Sequence, residues 1–298
     1  MSGKDRQRLL AGDEARGERL DLFLVRSLPG ASRKAIKRAL DEGRVLVDGV
    51  GGLRAGRILQ GGETVLVTLE LSAAEAAPPA LPVLWRDGGL LAVDKPAGLP
   101  AHPTVAGRAN ALDLLRSLLA EENIEPILLH RLDADTTGVL LFALTPAANR
   151  SLARQFAERE VTKTYLALVA GSPPDAFGVR NHLKAGVRGR TVAARSGGQP
   201  AETAFRTLER HPGFALVEAA PRTGRTHQIR AHLGGEGYPL LGDTLYGGPA
   251  FLSAGDRQIP LRRHLLHAFR LTFRHPVDGR LTTIETPMPV DFKAVLSD

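Results

Sequence analysis

Apolar residues fall along this chain in two textures, helical spacing and short unbroken runs. From Arg19 onward Leu20, Leu22, Phe23, Leu24, Val25 and Leu28 recur at helical spacing until Pro29-Gly30 ends the pattern. Ser32 then has the position of an N-cap for a helix over 33–40. Ile36 and Leu40 share one face of it, and Arg33, Lys34, Lys37 and Arg38 surround them. Gly43 stops the helix. Short strands are expected at 45–47, turning at Asp48-Gly49, and at 63–67 after Gly61-Gly62. Residues 1–17 are polar, without period, and are expected to be loose. Residues 71–82, rich in Ala and Pro, read as a linker.

Past residue 83 the runs lengthen. Strands are expected at 83–85 and 90–93 around a turn at Asp87-Gly88-Gly89, and an amphipathic helix at 111–120 carries Leu112, Leu115, Leu118 and Leu119. The run Val139-Leu140-Leu141-Phe142-Ala143-Leu144 has neither charge nor alternation, the mark of a strand buried on both faces. A helix at 146–159 turns Leu152 and Phe156 inward, and Arg150, Arg154, Glu158 and Arg159 outward. Further strands are expected at 164–169, 203–207, 214–219 and 271–273. Few long helices separate them, which disfavours a doubly wound parallel sheet. The expected fold is α+β: a large mixed, mainly antiparallel sheet preceded by a small N-terminal αβ module.

Composition narrows the class. A chain of 298 residues suggests about two domains. Its 39 Lys+Arg outnumber 32 Asp+Glu, and the net charge of +7 favours a polyanionic partner. The absence of cysteine excludes disulfide and thiolate chemistry. The first dozen residues lack the apolar core of a signal peptide, and no run reaches the ~18 apolar residues of a membrane span. A cytoplasmic protein with no membrane contact is expected.

Two polar clusters carry candidate chemistry. His130-Arg131-Leu132-Asp133-Ala134-Asp135 lies between apolar runs, and charges held near a core must be paired or used. On an extended backbone Asp133 and Asp135 would share a face, as paired carboxylates for glycosyl chemistry do. Alternatively one serves a turn and the other an arginine; Asp135-Thr136-Thr137-Gly138 suits a turn, leaving Asp133 as the candidate nucleophile or base. Gly138 lets the backbone turn sharply or approach a ligand. The second cluster is Arg222-Thr223-Gly224-Arg225-Thr226-His227-Gln228-Ile229-Arg230-Ala231-His232. Ile229 and Leu233 suggest a helix whose other side presents Gln228 and His232, starting near Thr226 where free amides could receive an anion. His227, His232, His264 and His267 lack a metal-ligand motif, so no metal is expected.

Both halves of the chain resemble known families. Arg19-Leu20-Asp21, Phe23-Leu24, Ser32-Arg33 and Gly43-Arg44-Val45-Leu46-Val47-Asp48-Gly49 resemble the small RNA-binding domain first seen in a small-subunit ribosomal protein. That resemblance implies that Arg33, Lys34, Lys37 and Arg38 face RNA phosphates. His130-Arg131-Leu132-Asp133 with Thr136, Gly138 and Ala143 resembles the signature of RNA pseudouridine synthases, in the family acting on large-subunit ribosomal RNA and some transfer RNA. Asp94-Lys95-Pro96-Ala97-Gly98, Lys163-Thr164-Tyr165, Gly224 to Arg230, Gly242-Asp243 and Leu245-Tyr246-Gly247 match further landmarks in order, as do Leu266-His267-Ala268 and His275-Pro276. Thr137 and Gln199 depart mildly from the usual Ser and Lys.

The resemblance implies domains at 18–70 and 83–298 after a tail at 1–17, joined by the linker. It implies isomerisation of uridine to pseudouridine, ribosomal RNA being favoured over transfer RNA, by a monomer that needs no cofactor. Asp133 would be the catalytic carboxylate, attacking covalently or assisting a glycal-like intermediate. Arg230 would be its partner, and Tyr165 the residue beside the base that helps remove the C5 proton. Arg131, His130, Arg225 and Lys95 would bind substrate, Arg131 by holding the space vacated by a flipped nucleotide. Two rival readings are a non-catalytic RNA-binding or ribosome-assembly protein and a glycoside hydrolase. The intact set of Asp133, Tyr165 and Arg230 opposes the first. The basic module and the 5% aromatic content oppose the second.

Overall fold

The computed structural model describes residues 4–28, 31, 33–70, 80–104, 109–254 and 257–297, and the chain divides near residue 80 into two compact units. In the first unit the strand β1 (Lys4–Ala11) precedes two helices, α1 (Leu20–Ser27) and α2 (Arg33–Asp41), and two strands, β2 (Val45–Val47) and β3 (Glu63–Glu70). The three strands form one sheet in the order β1-β3-β2. Its core joins Leu20, Phe23 and Leu24 of α1 to Ile36, Ala39 and Leu40 of α2, and both to Val45, Val47, Val65 and Val67.

The helical spacing at 20–28 and 36–40 is thus the inner face of a helix pair. Gly43 has φ +68, and its amide donates to the Leu40 carbonyl as α2 ends. The polar tail is not loose: Lys4–Ala11 pairs antiparallel with Glu63–Glu70 along its whole length. Backbone pairing to a partner strand asks for no apolar pattern, which is why none was visible there. Ser32, Pro29-Gly30 and residues 71–79 of the linker lie outside the described residues, as do the side chains of Arg33, Lys34 and Arg38. Lys37 is exposed.

The second unit is organised by one eleven-stranded sheet. Its first elements are β4 (Val83–Asp87), β5 (Leu90–Lys95), α3 (Ala111–Leu118), β6 (Ile127–Leu128), β7 (Thr137–Ala143) and α4 (Pro146–Ala157). Then come β8 (Thr162–Ala170), β9 (Ala176–Ala185), β10 (Thr191–Ala193), β11 (Gln199–His211), β12 (Phe214–Pro221) and α5 (Gln228–Gly235). A small hairpin, β13 (Phe251–Ala254) and β14 (Arg257–Pro260), leads to β15 (Leu266–Arg274), β16 (Leu281–Glu285) and α6 (Val290–Ser297).

The strand order is β10-β9-β11-β12-β8-β15-β7-β5-β4, with β16 on β15 and β6 on β7. Among the described residues β7 and β15 run parallel, and the other pairs of this sheet are antiparallel. The fold is the expected α+β arrangement around a mixed, mainly antiparallel sheet. Strand β7 is buried along its whole length. Leu140 and Phe142 enter one core, with Leu91 and Val93 of β5, while Val139, Leu141 and Ala143 enter the other, with Leu90 and Ala92. An uninterrupted apolar run is what a strand between two cores requires. Gly138 opens it at φ +114, where a Cβ would lie 2.3 Å from the Ala268 carbonyl oxygen. The close approach that this glycine permits is to β15, in register with Ala268.

Candidate active site

The polar island before β7 forms a turn in which the Thr136 amide donates to the Asp133 carbonyl at 3.1 Å. Asp133 and Asp135 therefore do not share a face: Asp133 is half-buried and Asp135 exposed. Five successive residues are each gripped from outside the turn. Arg230 Nη1 donates to Asp133 Oδ2 at 3.0 Å, Lys95 Nζ to the Ala134 carbonyl at 2.8 Å, and Arg263 Nη1 to the Asp135 carbonyl at 2.9 Å. Thr136 Oγ1 bonds His264 Nε2 at 2.9 Å, and Thr137 Oγ1 bonds His267 Nδ1 at 2.8 Å. Burial pushes these two imidazoles down to about 2 and about 4, so they are neutral props.

Lys95 corrects an expectation. It is wholly buried behind the turn, its ammonium also donating to the carbonyls of Pro96 and Leu99, both at 2.8 Å. Burial pushes its pKa down to about 7, while three carbonyls call for its full set of protons. Lys95 has no surface in the cleft and positions the turn instead.

The carboxylate's partner is itself anchored. Arg230, on α5, is 7% exposed and gives its Nε and Nη2 to Asp243 at 2.7 and 2.8 Å, leaving Nη1 for Asp133. Its guanidinium carbon lies 5.1 Å from the Tyr246 ring centroid. Burial works to lower the Arg230 pKa, but the two carboxylates hold it above its ordinary value. Asp243 is placed by Gly242, at φ +79, where a Cβ would lie 1.8 Å from the Arg263 carbonyl oxygen. Among the described residues no hydrogen bond reaches Asp133 Oδ1, so one carboxylate oxygen is fixed and the other free.

Helix α5 begins two residues later than expected. His227 sits at its start in the left-handed region, φ 53, with Nδ1 3.1 Å from the Tyr246 hydroxyl and Nε2 3.8 Å from Asp133 Oδ2. Burial lowers its pKa, with Asp133 opposing. Gln228 and His232 face the protein, not an anion. Gln228 bonds Thr203, Thr223 and the Arg225 amide, and His232 bonds Thr203 and Asn181.

A cleft of about 470 Å³ opens over Asp133, and among the residues lining it Asp133 is the single acid. Six cationic side chains line it: Arg131, Arg159, Lys163, Arg222, Arg225 and Arg230. Tyr165 lies on its wall with a hydroxyl that has no hydrogen-bond partner among the described residues. Burial, then the Asp133 charge, push that phenol above its ordinary pKa. Arg131 is exposed and bonds the Thr226 hydroxyl. His130 also lines the cleft, but its Nε2 accepts the Leu141 amide at 3.1 Å and its ring lies against Phe156. Burial, helped by Lys163, pushes it down to about 3, so it cannot act as a cation toward a ligand at neutral pH.

Comparison with known proteins decides what this cleft belongs to. Residues 89–234 match the family model of RNA pseudouridylate synthases, and residues 18–65 match that of the S4 domain. A ribosomal large subunit pseudouridine synthase D from Xanthomonas campestris is 35% identical over 96% of this chain and 90% of its own length. The chain belongs to the RNA pseudouridylate synthase family. A ribosomal large subunit pseudouridine synthase C from Pasteurella multocida is likewise 35% identical, over 96% of this chain and 91% of its own. Among solved structures, human RNA pseudouridylate synthase domain containing 4 superposes with a TM-score of 0.59 at 29% identity, covering 72% of this chain and 92% of that one.

This synthase therefore brings Asp133, Tyr165, Arg230, Arg131, His130 and Arg225 to one cleft and sets Lys95 behind it. Sequence reasoning missed Asp243, His227 and Lys163 as parts of the site. Gly242-Asp243 offered a signal, a glycine before an acid that has no local partner. Lys163 offered another, since it stands two residues from Tyr165 on a strand.

Proposed function

We propose that this synthase isomerises specific uridines of large-subunit ribosomal RNA, with Asp133 as the catalytic carboxylate. The reaction breaks N1–C1′, turns the uracil and joins C5 to C1′, with no redox step. Covalent attack and glycal formation both ask for an ionised carboxylate beside the sugar. What carries the reading is the bonding of Asp133, which lines the cleft: Oδ2 is held by an arginine that Asp243 anchors, and Oδ1 has no hydrogen bond among the described residues. Such a guanidinium fixes the carboxylate's direction before substrate arrives. Relatives bearing the ribosomal large-subunit name over nearly their whole length support the substrate class. Action in the cytoplasm, as a monomer, belongs to the same reading. No described helix is long and apolar enough to cross a membrane.

A uracil within structured RNA must leave its stack to reach the cleft. Arg131, exposed at the rim and steadied by Thr226, is the side chain to fill the gap. Tyr165 enters as a neutral phenol, because burial and an ionised Asp133 both oppose the phenolate. To take the C5 proton Tyr165 must first give its own proton to water in the cleft; if Asp133 bonds to C1′ its charge disappears and one of the pressures against the phenolate is lifted, so that transfer is easier after the step than before it. Tritium released to water from ribosomal RNA labelled at uridine C5 tests the reading. The wild type should release it, and Asp133→Asn should lose about 10⁴-fold or more in rate while still binding RNA. Unimpaired release by Asp133→Asn would refute the assignment.

A further inference from the structure

One wall of the cleft carries a cation that has no ion pair among the described residues. Lys163 and Tyr165 are two apart on β8, so their side chains leave the same face of the sheet, and both line the cleft. Lys163 is half-buried. Its one hydrogen bond among the described residues is long, Nζ to the Thr223 carbonyl at 3.3 Å, beside Gly224. An ammonium has three donors, so two stand free. Arg225 lines the same cleft, and its charge lowers the Lys163 pKa after burial. That arginine is oriented through Nε on the Pro200 carbonyl at 3.1 Å and through its amide on Gln228, and both terminal amino groups lack partners among the described residues.

Among the described residues no acid pairs with either cation. Asp133, the single acid lining the cleft, is held by Arg230. Two cations crowded together in a half-buried place oppose folding unless an anion joins them. Burial, with Arg225 second, pushes the Lys163 ammonium down to about 8. Neither packing nor internal hydrogen bonding gives these donors a reason to be there, whereas a phosphodiester offers the acceptor oxygens and the charge they lack.

We propose that Lys163 and Arg225 form a seat for a backbone phosphate next to the uridine turned into the cleft, Lys163 being a substrate-binding residue. The inference rests on the pseudouridine synthase reading. Other groups facing Lys163 do not imitate its titration. His130, from the turn before β7, is already neutral. His227 stays below its ordinary value and Tyr165 above its own, while Arg159 and Arg222 are the other cations lining the cleft. Burial lowers the Lys95 pKa, but its ammonium is spent on three carbonyls behind the Asp133 turn and has no surface in the cleft. Loss of the Lys163 proton as pH rises through about 8 should therefore raise KM for RNA.

The test measures tritium release from C5-labelled ribosomal RNA, with KM and kcat at pH 7 and 9 and across salt concentration. In the wild type KM should climb between those pH values. Lys163→Met should raise KM about tenfold at pH 7 with kcat within about twofold, and flatten the dependence of log KM on log salt by about 0.7–0.9. Lys163→Arg should keep the low KM and lose its pH dependence. A pH-independent wild-type KM, an unchanged KM in Lys163→Met, or a loss confined to kcat would each overturn the proposal, and the first requires no variant. Filter binding of the same RNA separates the two readings. If the wild type releases no tritium but Lys163→Met still weakens binding with the smaller salt slope, the phosphate seat stands and the assigned reaction falls.

Discussion

At the Asp133 end of the cleft Arg230 meets a carboxylate on each of its bonding edges, while at the Lys163 end two cations line the cleft and neither is paired with an acid among the described residues. The contrast follows from what each end must do. A reacting carboxylate has to be fixed and ionised before substrate arrives, so its counter-charge comes from the protein. A binding end can leave its counter-charge to the ligand, and its donors stay open until RNA supplies it. At the matched end Arg230 and Asp243 are buried; at the unmatched end burial lowers the Lys163 pKa to about 8.

Breaking the matched end should have the largest effect. Asp243→Ala leaves Arg230 buried with half its partners gone, and should cost about 3–5 kcal/mol of stability, read from urea midpoints. Turnover should fall with it. A double-mutant cycle with Asp133→Asn should show strong coupling, since both carboxylates act through one guanidinium. Strict additivity would mean that Arg230 does not link them. Lys95→Met comes next: it leaves three buried carbonyls without a donor and should destabilise by about 2–4 kcal/mol, lowering kcat more than it raises KM. An unmoved kcat would show that the turn holds its shape without Lys95.

The props behind the turn should reveal themselves in acid. His264, His267 and His232 are held at about 2, 4 and 4 by burial. Below the ordinary value of 6.5 an unfolded chain takes up protons that the folded chain refuses. The stability they contribute is therefore present above pH 6.5 and falls as pH drops toward 4, by up to ~1.4 kcal/mol per pH unit for each imidazole. Urea midpoints between pH 7 and 4.5 check this, and His267→Asn should make the decline shallower. The smallest effect is expected at the rim. Arg131→Ala removes an exposed side chain and should slow turnover several-fold, with stability changed by less than about 0.5 kcal/mol. Unchanged turnover would remove its role in holding the flipped state.

Periodicity alone showed much of this molecule. The charge-free run 139–144 read as a strand buried on both faces and became one between two cores, and the spacing of Leu20, Phe23, Leu24, Ile36 and Leu40 became the inner face of a helix pair. Those patterns are legible because burial acts on neighbouring positions within one element. The motif at 130–133 and the cluster at 222–232 announced where charge would gather, and the family resemblance supplied the pairing of Asp133 with Arg230.

Tertiary structure decided the rest, because partners across the sheet leave no mark on local spacing. Arg230 and Asp133 are 97 residues apart, and Thr137 and His267 are 130 apart. Which cations face solvent, ligand or carbonyl was likewise settled by packing: Lys95 and Lys163 look alike in the sequence, yet one is sealed behind the turn and the other opens into the cleft. The mostly polar strand Lys4–Ala11 was illegible for a related reason, since its backbone bonds to β3 run its whole length while only Leu9 and Ala11 are named in the core. The sequence determined which segments bury themselves and which residues carry charge. Only the fold decided which of those charges meet, because a pair's energy depends on a distance that chain position does not contain.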